Sequence, residues 1–128
     1  DLNPQIQPFL FDNDQIKRVI INLVENALAA LAQTEKPKIH FITSSDSLRQ
    51  TVSVIMADNG PGVEDGNYAK LFEPYYSTKP TGSGLGLAIV SKIIQDHGGI
   101  IQAFATEGGG LSFKIDLPYV NAEKGTYG

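Results

Sequence analysis

Two asparagines in the first quarter of the chain have a spacing that could hold a metal ion. Asn22 and Asn26 are four residues apart, so in a helix their side chains stack on one face. An amide oxygen is a hard, neutral ligand suited to Mg²⁺, which takes few ligands from protein and the rest from water and phosphate oxygens. The alternative is a pair of surface or capping amides, because helical spacing alone establishes only that the two side chains are neighbours.

A carboxylate and two glycines follow a strand-like run in the middle of the chain. The segment reads Asp58-Asn-Gly60-Pro-Gly62, and Asp58 would stand where the strand ends. A carboxylate there can accept a hydrogen bond from an exocyclic amine such as N6 of adenine. The glycines would allow a tight backbone turn against a flat ring. An ordinary Asp/Gly turn is the alternative interpretation.

A cluster of glycines precedes the second helical pattern. The segment Gly82-Ser83-Gly84-Leu85-Gly86-Leu87 opens an amphipathic run, and the free N–H groups and the dipole at the start of a helix attract anions. A phosphate site is therefore predicted, with a plain turn as the alternative. A Rossmann fingerprint does not fit, because the third glycine comes one residue early. The Gly-Lys-Ser/Thr of a P-loop is absent.

These segments need helices and strands that hold them together. Apolar residues at i, i+3 and i+4 spacing predict one helix from residue 13 to about 33 and another from about 85 to 97. β-Branched, partly alternating runs predict strands at residues 38–43, 51–57, 100–106 and 111–117, with a short edge strand at 8–12. The expected fold class is α/β (α+β), a two-layer sandwich in which helices cover one face of a mixed β-sheet.

A long irregular segment, residues 58–83, interrupts this pattern. It is rich in Gly, Pro and aromatic residues and contains one short predicted helix near 68–71. So long a stretch in a compact domain is usually functional, and we expect a mobile lid with hinges at 65–67 and 79–82. Residues 1–118 are expected to form the domain and 119–128 a loose C-terminal tail.

Composition excludes several classes of protein. The chain has 128 residues, of which 41% are hydrophobic and 19% charged, which predicts one globular domain with a real core. Without Cys there is no disulfide or thiolate site, and two His argue against a His-rich metal site. A net charge of −4 argues against general nucleic-acid binding. No apolar run approaches the roughly 20 residues that span a bilayer, so we expect no membrane contact by this chain. Its start without Met suggests a piece of a longer protein.

The order of four motifs resembles a known family. They are Asn22-Leu-Val-Glu-Asn26-Ala, Asp58-Asn-Gly-Pro-Gly62, Leu71-Phe-Glu-Pro-Tyr-Tyr-Ser-Thr-Lys79 and Gly82-Ser-Gly-Leu-Gly-Leu87. Together they resemble the ATP-binding catalytic domain of sensor histidine kinases, within the GHKL superfamily that includes gyrase, chaperone and mismatch-repair ATPases. The resemblance covers about residues 11–118, and the third motif points to the kinase branch and to its nitrogen-regulation-like members.

The resemblance implies a role for each motif. It implies that Asn26 binds Mg²⁺ and that Asn22 assists at the metal or the phosphates. Asp58 would hold adenine N6, with Gly60 and Gly62 shaping the base pocket. Phe72 would anchor the lid, and Lys79 would approach the terminal phosphates. The residues that would line the triphosphate come from one loop: Gly82, Ser83, Gly84, Leu85 and Gly86. Packing of Leu85 and Leu87 on the core is the alternative for those two.

Two positions depart from the pattern of the family. Many members carry a Lys three residues after the metal-binding Asn, where this chain has Ala29. Phosphate neutralisation would then fall on Lys79 or on another residue. The family's Gly-x-Gly-Thr-x-Phe reads Gly108-Gly-Gly-Leu-Ser-Phe113 here, so Leu111 replaces a Thr that helps to hold adenine through water. Strand alternation points the adjacent Ser112 the other way.

The residues beside the metal-binding Asn favour phosphoryl transfer over hydrolysis. ATPases of the superfamily place a Glu four residues before that Asn to activate water, and here the position is Asn22, which cannot act as a general base. Glu25 is a base, a group that supports the metal ligands, or a surface acid. The candidate catalytic residues are therefore Asn22, Glu25 and Lys79, which suits a reaction in which the protein mainly positions groups and stabilises charge.

The resemblance also implies a function and partners. The chain would bind ATP with Mg²⁺ and donate the γ-phosphoryl group to a histidine on a separate helical dimerisation domain, with a response regulator as the indirect partner. Its own His40 and His97 are expected to be structural. The isolated domain is expected to be monomeric and cytoplasmic, whether or not the parent protein is anchored in the inner membrane. A related serine-kinase switch protein and a non-catalytic nucleotide sensor are the alternatives.

Overall fold

The computed structural model describes residues 13–63, 66–74, 85–118, 120–121 and 126–127. Two α-helices, a 3₁₀ helix and six strands follow one another within these ranges. In chain order they are α1 (Asn13–Ala30), β1 (Ile39–Asp46), β2 (Thr51–Asp58), the 3₁₀ helix (Ala69–Phe72), α2 (Gly86–Asp96), β3 (Ile100–Ala105), β4 (Leu111–Pro118), β5 (Val120–Asn121) and β6 (Thr126–Tyr127). The predicted elements are confirmed with shifts of up to three residues at their ends, except for the edge strand at 8–12, which lies outside the described residues.

The main sheet has the strand order β1-β2-β4-β3. All three of its described pairs are antiparallel, whereas the sequence predicted a mixed sheet. Two of the pairs, β1–β2 and β3–β4, are hairpins whose short connections allow only the antiparallel arrangement. β5 and β6 form a separate two-stranded antiparallel ribbon within the segment that was expected to be a loose tail. The ribbon pairs Val120 with Tyr127, and both are residue types that favour strands.

Alternation along the strands separates the two faces of the main sheet. On β4 the buried apolar residues are Leu111, Phe113, Ile115 and Leu117, and the register places Val52 and Met56 of β2 on the same face. The apolar stripes of both helices join these residues in one core: Val19, Leu23 and Ala27 from α1, and Val90, Ile93 and Ile94 from α2. The predicted two-layer α/β architecture is therefore confirmed, with the core between one sheet face and the helices.

His97 and Gly98 follow the end of α2, close to the predicted end at about residue 97. Gly98 has a φ of +74°, its N–H donates to the carbonyl of Gln95 at 3.0 Å, and the N–H of Gly99 donates to the carbonyl of Ile94 at 2.9 Å. This is a Schellman motif, which satisfies carbonyls left free at a helix end. His97 Nδ1 lies 2.7 Å from the carbonyl oxygen of Ile93, which is a structural role. No helix among the described residues has the length and apolar character needed to cross a membrane.

Candidate functional site

One face of α1 contacts two of the candidate nucleotide-binding segments, the start of α2 and the turn at Gly60. Asn22, Asn26 and Ala30 are successive i, i+4 positions, so they line this face over two turns, a length of about 12 Å. Both asparagines are half-buried, at the boundary between the apolar stripe and solvent, as the spacing predicted. The helix stays docked on the core through Leu23 and Ala27, which are 2% and 0% exposed.

The Asn22 end of this face meets the start of α2. A Cβ placed on Gly86 would lie 3.6 Å from Oδ1 of Asn22, so the amide oxygen is in van der Waals range of the first residue of α2. The N–H of Ile89 donates to the carbonyl of Leu85 at 2.9 Å, which closes the first turn of that helix. The amide of Asn22 thus lies beside the helix end at which an anion is favoured.

The Ala30 end of the same face meets the turn after β2. A Cβ placed on Gly60 would lie 3.2 Å from the carbonyl oxygen of Ala30 and 3.2 Å from Oδ1 of Asp58. Since contacts below about 3.4 Å leave little space for a side chain, the end of α1 and the Gly60 turn are closely packed. Asn26 therefore lies between a carboxylate at one end of the face and the start of α2 at the other.

Asp58 is a buried carboxylate with two unequal oxygens. Its side chain is on the last residue of β2, and the residue is only 2% exposed. Oδ1 accepts hydrogen bonds from the N–H of Gly60 at 2.9 Å and from the N–H of Leu111 at 3.1 Å. Oδ2 is buried, and no donor among the described residues reaches it. A buried carboxylate oxygen without a partner is unfavourable, so this atom fits a donor that comes from a ligand.

Asn59 joins the same turn to the segment that follows α1. Its Oδ1 accepts from the N–H of Lys38 at 2.7 Å, its Nδ2 donates to the carbonyl of Lys36 at 3.0 Å, and its N–H donates to the carbonyl of Lys38 at 3.3 Å. Lys36 adopts a φ of +51°, which few residues other than Gly favour. Asn59 is therefore a positioning residue that sequence reasoning missed, since a bond across 21 positions has no local signal.

Phe72 connects the irregular segment to the core. Its ring meets Phe113 edge to face, with 6.1 Å between centroids and 68° between planes. Phe113 is 1% exposed on β4, and the preceding Leu71 is also buried. The 3₁₀ helix thus has a fixed apolar contact, and the mobility predicted for the rest of the lid stays a prediction.

The structure describes the two residues that depart from the family pattern, Ala29 and Leu111, and also Glu25. Ala29 and Glu25 are exposed on α1, and Glu25 points about 100° around the helix from Asn26. Leu111 is 6% exposed within the core. Ser112 faces the opposite side of the sheet, where its Oγ lies 2.8 Å from Oγ1 of Thr106, as strand alternation predicted. Neither Leu111 nor Ser112 offers a hydroxyl on the helix-covered face.

Several predicted site residues cannot be placed in this geometry. Lys79, Gly82, Ser83 and Gly84 lie outside the described residues, so their roles stay predictions.

Gly62 is described and lies beside Gly110. It has a φ of +77°, and a Cβ added to it would lie 3.2 Å from the carbonyl oxygen of Gly110. The structure therefore brings together Asn22 with Gly86 at one end of this face of α1, and Asp58 with Gly60 at the other.

Comparison with known proteins gives consistent matches across this chain. The family described as "Histidine kinase-, DNA gyrase B-, and HSP90-like ATPase" matches residues 11–121. The sensor protein FixL of Bradyrhizobium diazoefficiens is 36% identical over 117 residues, covering 91% of this chain and 23% of FixL. The sensory histidine kinase/phosphatase NtrB of Rhizobium leguminosarum bv. phaseoli is 35% identical, covering 91% of this chain and 33% of NtrB. The chain thus spans a third or less of the length of these relatives.

Solved structures agree with the sequence matches. Full-length ShkA in complex with AMPPNP has a TM-score of 0.70 at 30% identity, covering 84% of this chain and 22% of that one. Histidine kinase ThkA in complex with the response regulator protein TrrA has a TM-score of 0.75 at 31% identity, covering 94% of this chain and 33% of ThkA.

Proposed function

This chain belongs to the family of histidine kinase-, DNA gyrase B- and HSP90-like ATPases, in its sensor histidine kinase branch, and we propose that it binds Mg²⁺–ATP and donates the γ-phosphoryl group to a protein histidine. The observation that carries the proposal is the buried Oδ2 of Asp58, which no donor among the described residues reaches, at one end of a face whose other end is the start of α2. The amine of a nucleotide base and a phosphate anion would then bind on the same side of α1.

Asp58 is proposed to recognise the base. Because Oδ1 is held by the N–H groups of Gly60 and Leu111, Oδ2 is the oxygen left to accept from an exocyclic amine. Adenine carries such an amine at position 6, whereas guanine and hypoxanthine carry a carbonyl oxygen there. A carboxylate repels that oxygen, so the geometry supports selectivity for adenine nucleotides.

Asn26 and Asn22 are proposed to hold the metal. Their amide oxygens would hold Mg²⁺, which would supply positive charge to neutralise the charge that develops on the phosphates. The amide of Asn22 lies beside the first residue of α2, so a metal at this face would also be close to a phosphate at the helix start. Among the described residues, no group of three carboxylates or imidazoles could hold a metal instead.

The side chains around Asn26 favour transfer over hydrolysis. Activation of water needs a base, and an amide at position 22 cannot supply one. Glu25 is the nearest carboxylate in sequence, but it projects about 100° away from Asn26 and is exposed. We propose that Asn22, Lys79 and the backbone at residues 82–86 stabilise the transferring group, and that a histidine on a separate helical dimerisation domain accepts it.

The partners are proposals that rest on the relatives. ThkA is known in complex with a response regulator protein, and ShkA in complex with AMPPNP. By extension, this chain would bind ATP directly and reach a response regulator only through the phosphorylated histidine. We propose that it acts as a monomeric unit in the cytoplasm.

The proposal is tested in two steps, nucleotide binding first and phosphoryl transfer second. Calorimetric titration with an ATP analogue, with and without Mg²⁺, should show metal-dependent binding. Radiolabelled ATP should then label a supplied histidine-containing dimerisation domain of the parent protein but not the same domain with that histidine replaced. If the chain binds no adenine nucleotide at millimolar concentration, the proposal is wrong.

A non-catalytic nucleotide sensor is the second candidate, and two observations favour it. Ala29 places no charge where many family members have a Lys, and the apolar Leu111 stands in the core where they have a Thr. Intact Mg²⁺–ATP binding without transfer to the histidine domain would support this alternative. Labelling of a serine on a supplied partner protein would instead support a serine-kinase switch.

A further inference from the structure

Gly110 lies against the backbone of the base-recognising residue. It is buried and has a φ of +117°. A Cβ added to it would come 1.9 Å from the carbonyl oxygen of Asp58, 2.7 Å from that carbonyl carbon, and 3.0 Å from Cα of Asn59. These are backbone atoms, so rotating a side chain cannot relieve the overlap. Any residue larger than Gly would have to move the end of β2 or the start of β4.

The close approach has a direct consequence for the carboxylate. The backbone ladder between β2 and β4 ends at the pair Ala57–Ser112, so Asp58 and Leu111 stand opposite each other one step further along. At this step the N–H of Leu111 donates to Oδ1 of the Asp58 side chain. Gly110 is the residue that lets β4 come near enough for this bond, since it immediately precedes Leu111 and touches Asp58 itself.

We propose that Gly110 is a positioning residue for adenine selectivity, acting through the Leu111 N–H that fixes the orientation of the Asp58 carboxylate toward the base. This inference rests on the proposed nucleotide function and deepens it. The N–H of Gly60, two residues along the same turn, holds Oδ1 from one side. The N–H of Leu111 holds it from another strand, so the plane of the carboxylate is fixed about the Cβ–Cγ bond. Without the second donor, Oδ2 loses its fixed direction.

The same turn supplies a matched control. Gly109 has a φ of +116°, nearly equal to that of Gly110, but a Cβ on it would meet nothing within 4 Å. Alanine at either position therefore meets the same backbone strain, and only Gly110→Ala adds the overlap with Asp58. The difference between the two variants isolates the contact from the conformational effect.

The experiment compares ATP with purine riboside triphosphate, which lacks the 6-amino group, by calorimetry in the presence of Mg²⁺. The wild-type chain and Gly109→Ala should prefer ATP by about tenfold or more, the ratio expected for a hydrogen bond to a charged acceptor. Gly110→Ala should reduce the preference to about threefold or less, through weaker ATP binding with little change for the analogue. A uniform loss for both nucleotides would indicate a merely structural role and overturn the inference, as would an unchanged preference.

A second variant keeps the inference testable if Gly110→Ala does not fold. Replacing the Leu111 residue by its α-hydroxy acid turns the amide into an ester and removes the N–H without adding any atom near Asp58. Circular dichroism should show a folded domain, and the preference for ATP should fall as for Gly110→Ala. A preserved preference in the folded ester variant would overturn the inference. A wild-type chain that binds neither nucleotide would instead refute the proposed function.

Discussion

Replacing Asp58 by Asn tests whether Oδ1 of the carboxylate stabilises the fold while Oδ2 accepts a hydrogen bond from the base. The substitution keeps the shape of the side chain but exchanges one oxygen for an NH₂ group. Since two backbone N–H groups donate to Oδ1, the variant amide should keep its oxygen there and turn its NH₂ toward the position of Oδ2. Asp58→Asn should therefore fold and present a donor where the native protein presents an acceptor.

Asp58→Asn should change nucleotide binding far more than it changes the stability of the nucleotide-free chain. ATP should lose a hydrogen bond to a charged acceptor, which contributes about 1.5–3 kcal/mol, and so should bind about 10- to 150-fold more weakly. Inosine triphosphate, with a carbonyl oxygen at position 6, should bind more tightly than to the wild type. Without nucleotide, the variant replaces a buried charged oxygen that lacks a described partner by a neutral group. Because the N–H groups of Gly60 and Leu111 then donate to a neutral oxygen, the resulting gain in stability is offset by weaker hydrogen bonds, and Tm should stay within about 3 °C of the wild type.

Calorimetry with both nucleotides and thermal unfolding of the nucleotide-free chain measure these effects. Asp58→Ala is the control, because it leaves the N–H groups of Gly60 and Leu111 without their acceptor and should lower Tm. If Asp58→Asn binds ATP as the wild type does, the carboxylate does not hold the base. If its Tm falls as far as that of the Ala variant, Oδ2 has a partner in the folded protein and the reasoning about its burial is refuted.

Three further substitutions test the other contacts of the site. Asn26→Ala should abolish the Mg²⁺-dependent part of ATP binding while leaving the far-ultraviolet spectrum unchanged, since Ala is the best helix former; Mg²⁺-dependent binding that survives would remove Asn26 from the metal site. Asn59→Ala loses both side-chain bonds to the Lys36–Lys38 segment and should lower stability by about 1 kcal/mol in denaturant titrations, whereas Ala at exposed Ser47 should not. Phe72→Ala removes the edge contact with Phe113 and should cost about 2 kcal/mol, below the range for a fully buried Phe; hydrogen exchange of residues 69–72 should then accelerate more than that of β1.

The elements of this fold were predictable because their patterns are local. The i, i+3, i+4 apolar spacing located both helices, and strand alternation correctly sent Ser112 to the face opposite Leu111. The four described strands of the main sheet pair antiparallel, and the predicted strand at 8–12 lies outside the described residues, so the mixed sheet stays a prediction; periodicity reports which face a strand buries, not the direction of its neighbour. α1 ended three residues before its predicted end at residue 33, in turns closed by the N–H of Leu31 and of Thr34.

The residue types of the candidate site could be predicted from the sequence, but the close backbone contacts between distant residues could not. Spacing and chemistry indicated Asp58, Gly60 and the two asparagines as candidates, and the structure describes all four. The sequence alone gave Gly110 no role different from Gly108 and Gly109, because three consecutive glycines look alike in a sequence. Only the structure shows that the third one touches Asp58, 52 positions away along the chain, while the other two meet nothing within 4 Å.

In the proposed site, base recognition would depend on pairing between two strands and not on the turn alone. Gly60 could orient the Asp58 carboxylate locally, but a single donor lets the group rotate, so the Leu111 N–H from β4 is needed to fix Oδ2. Local opening at the Asp58 end of the β2–β4 pair would therefore remove base selectivity before the domain unfolds. By linkage, a nucleotide that satisfies Oδ2 stabilises the same strand end. Oδ2, which has no partner among the residues that the structure describes, is thus unfavourable in the free fold, and we expect a bound base to offset that cost.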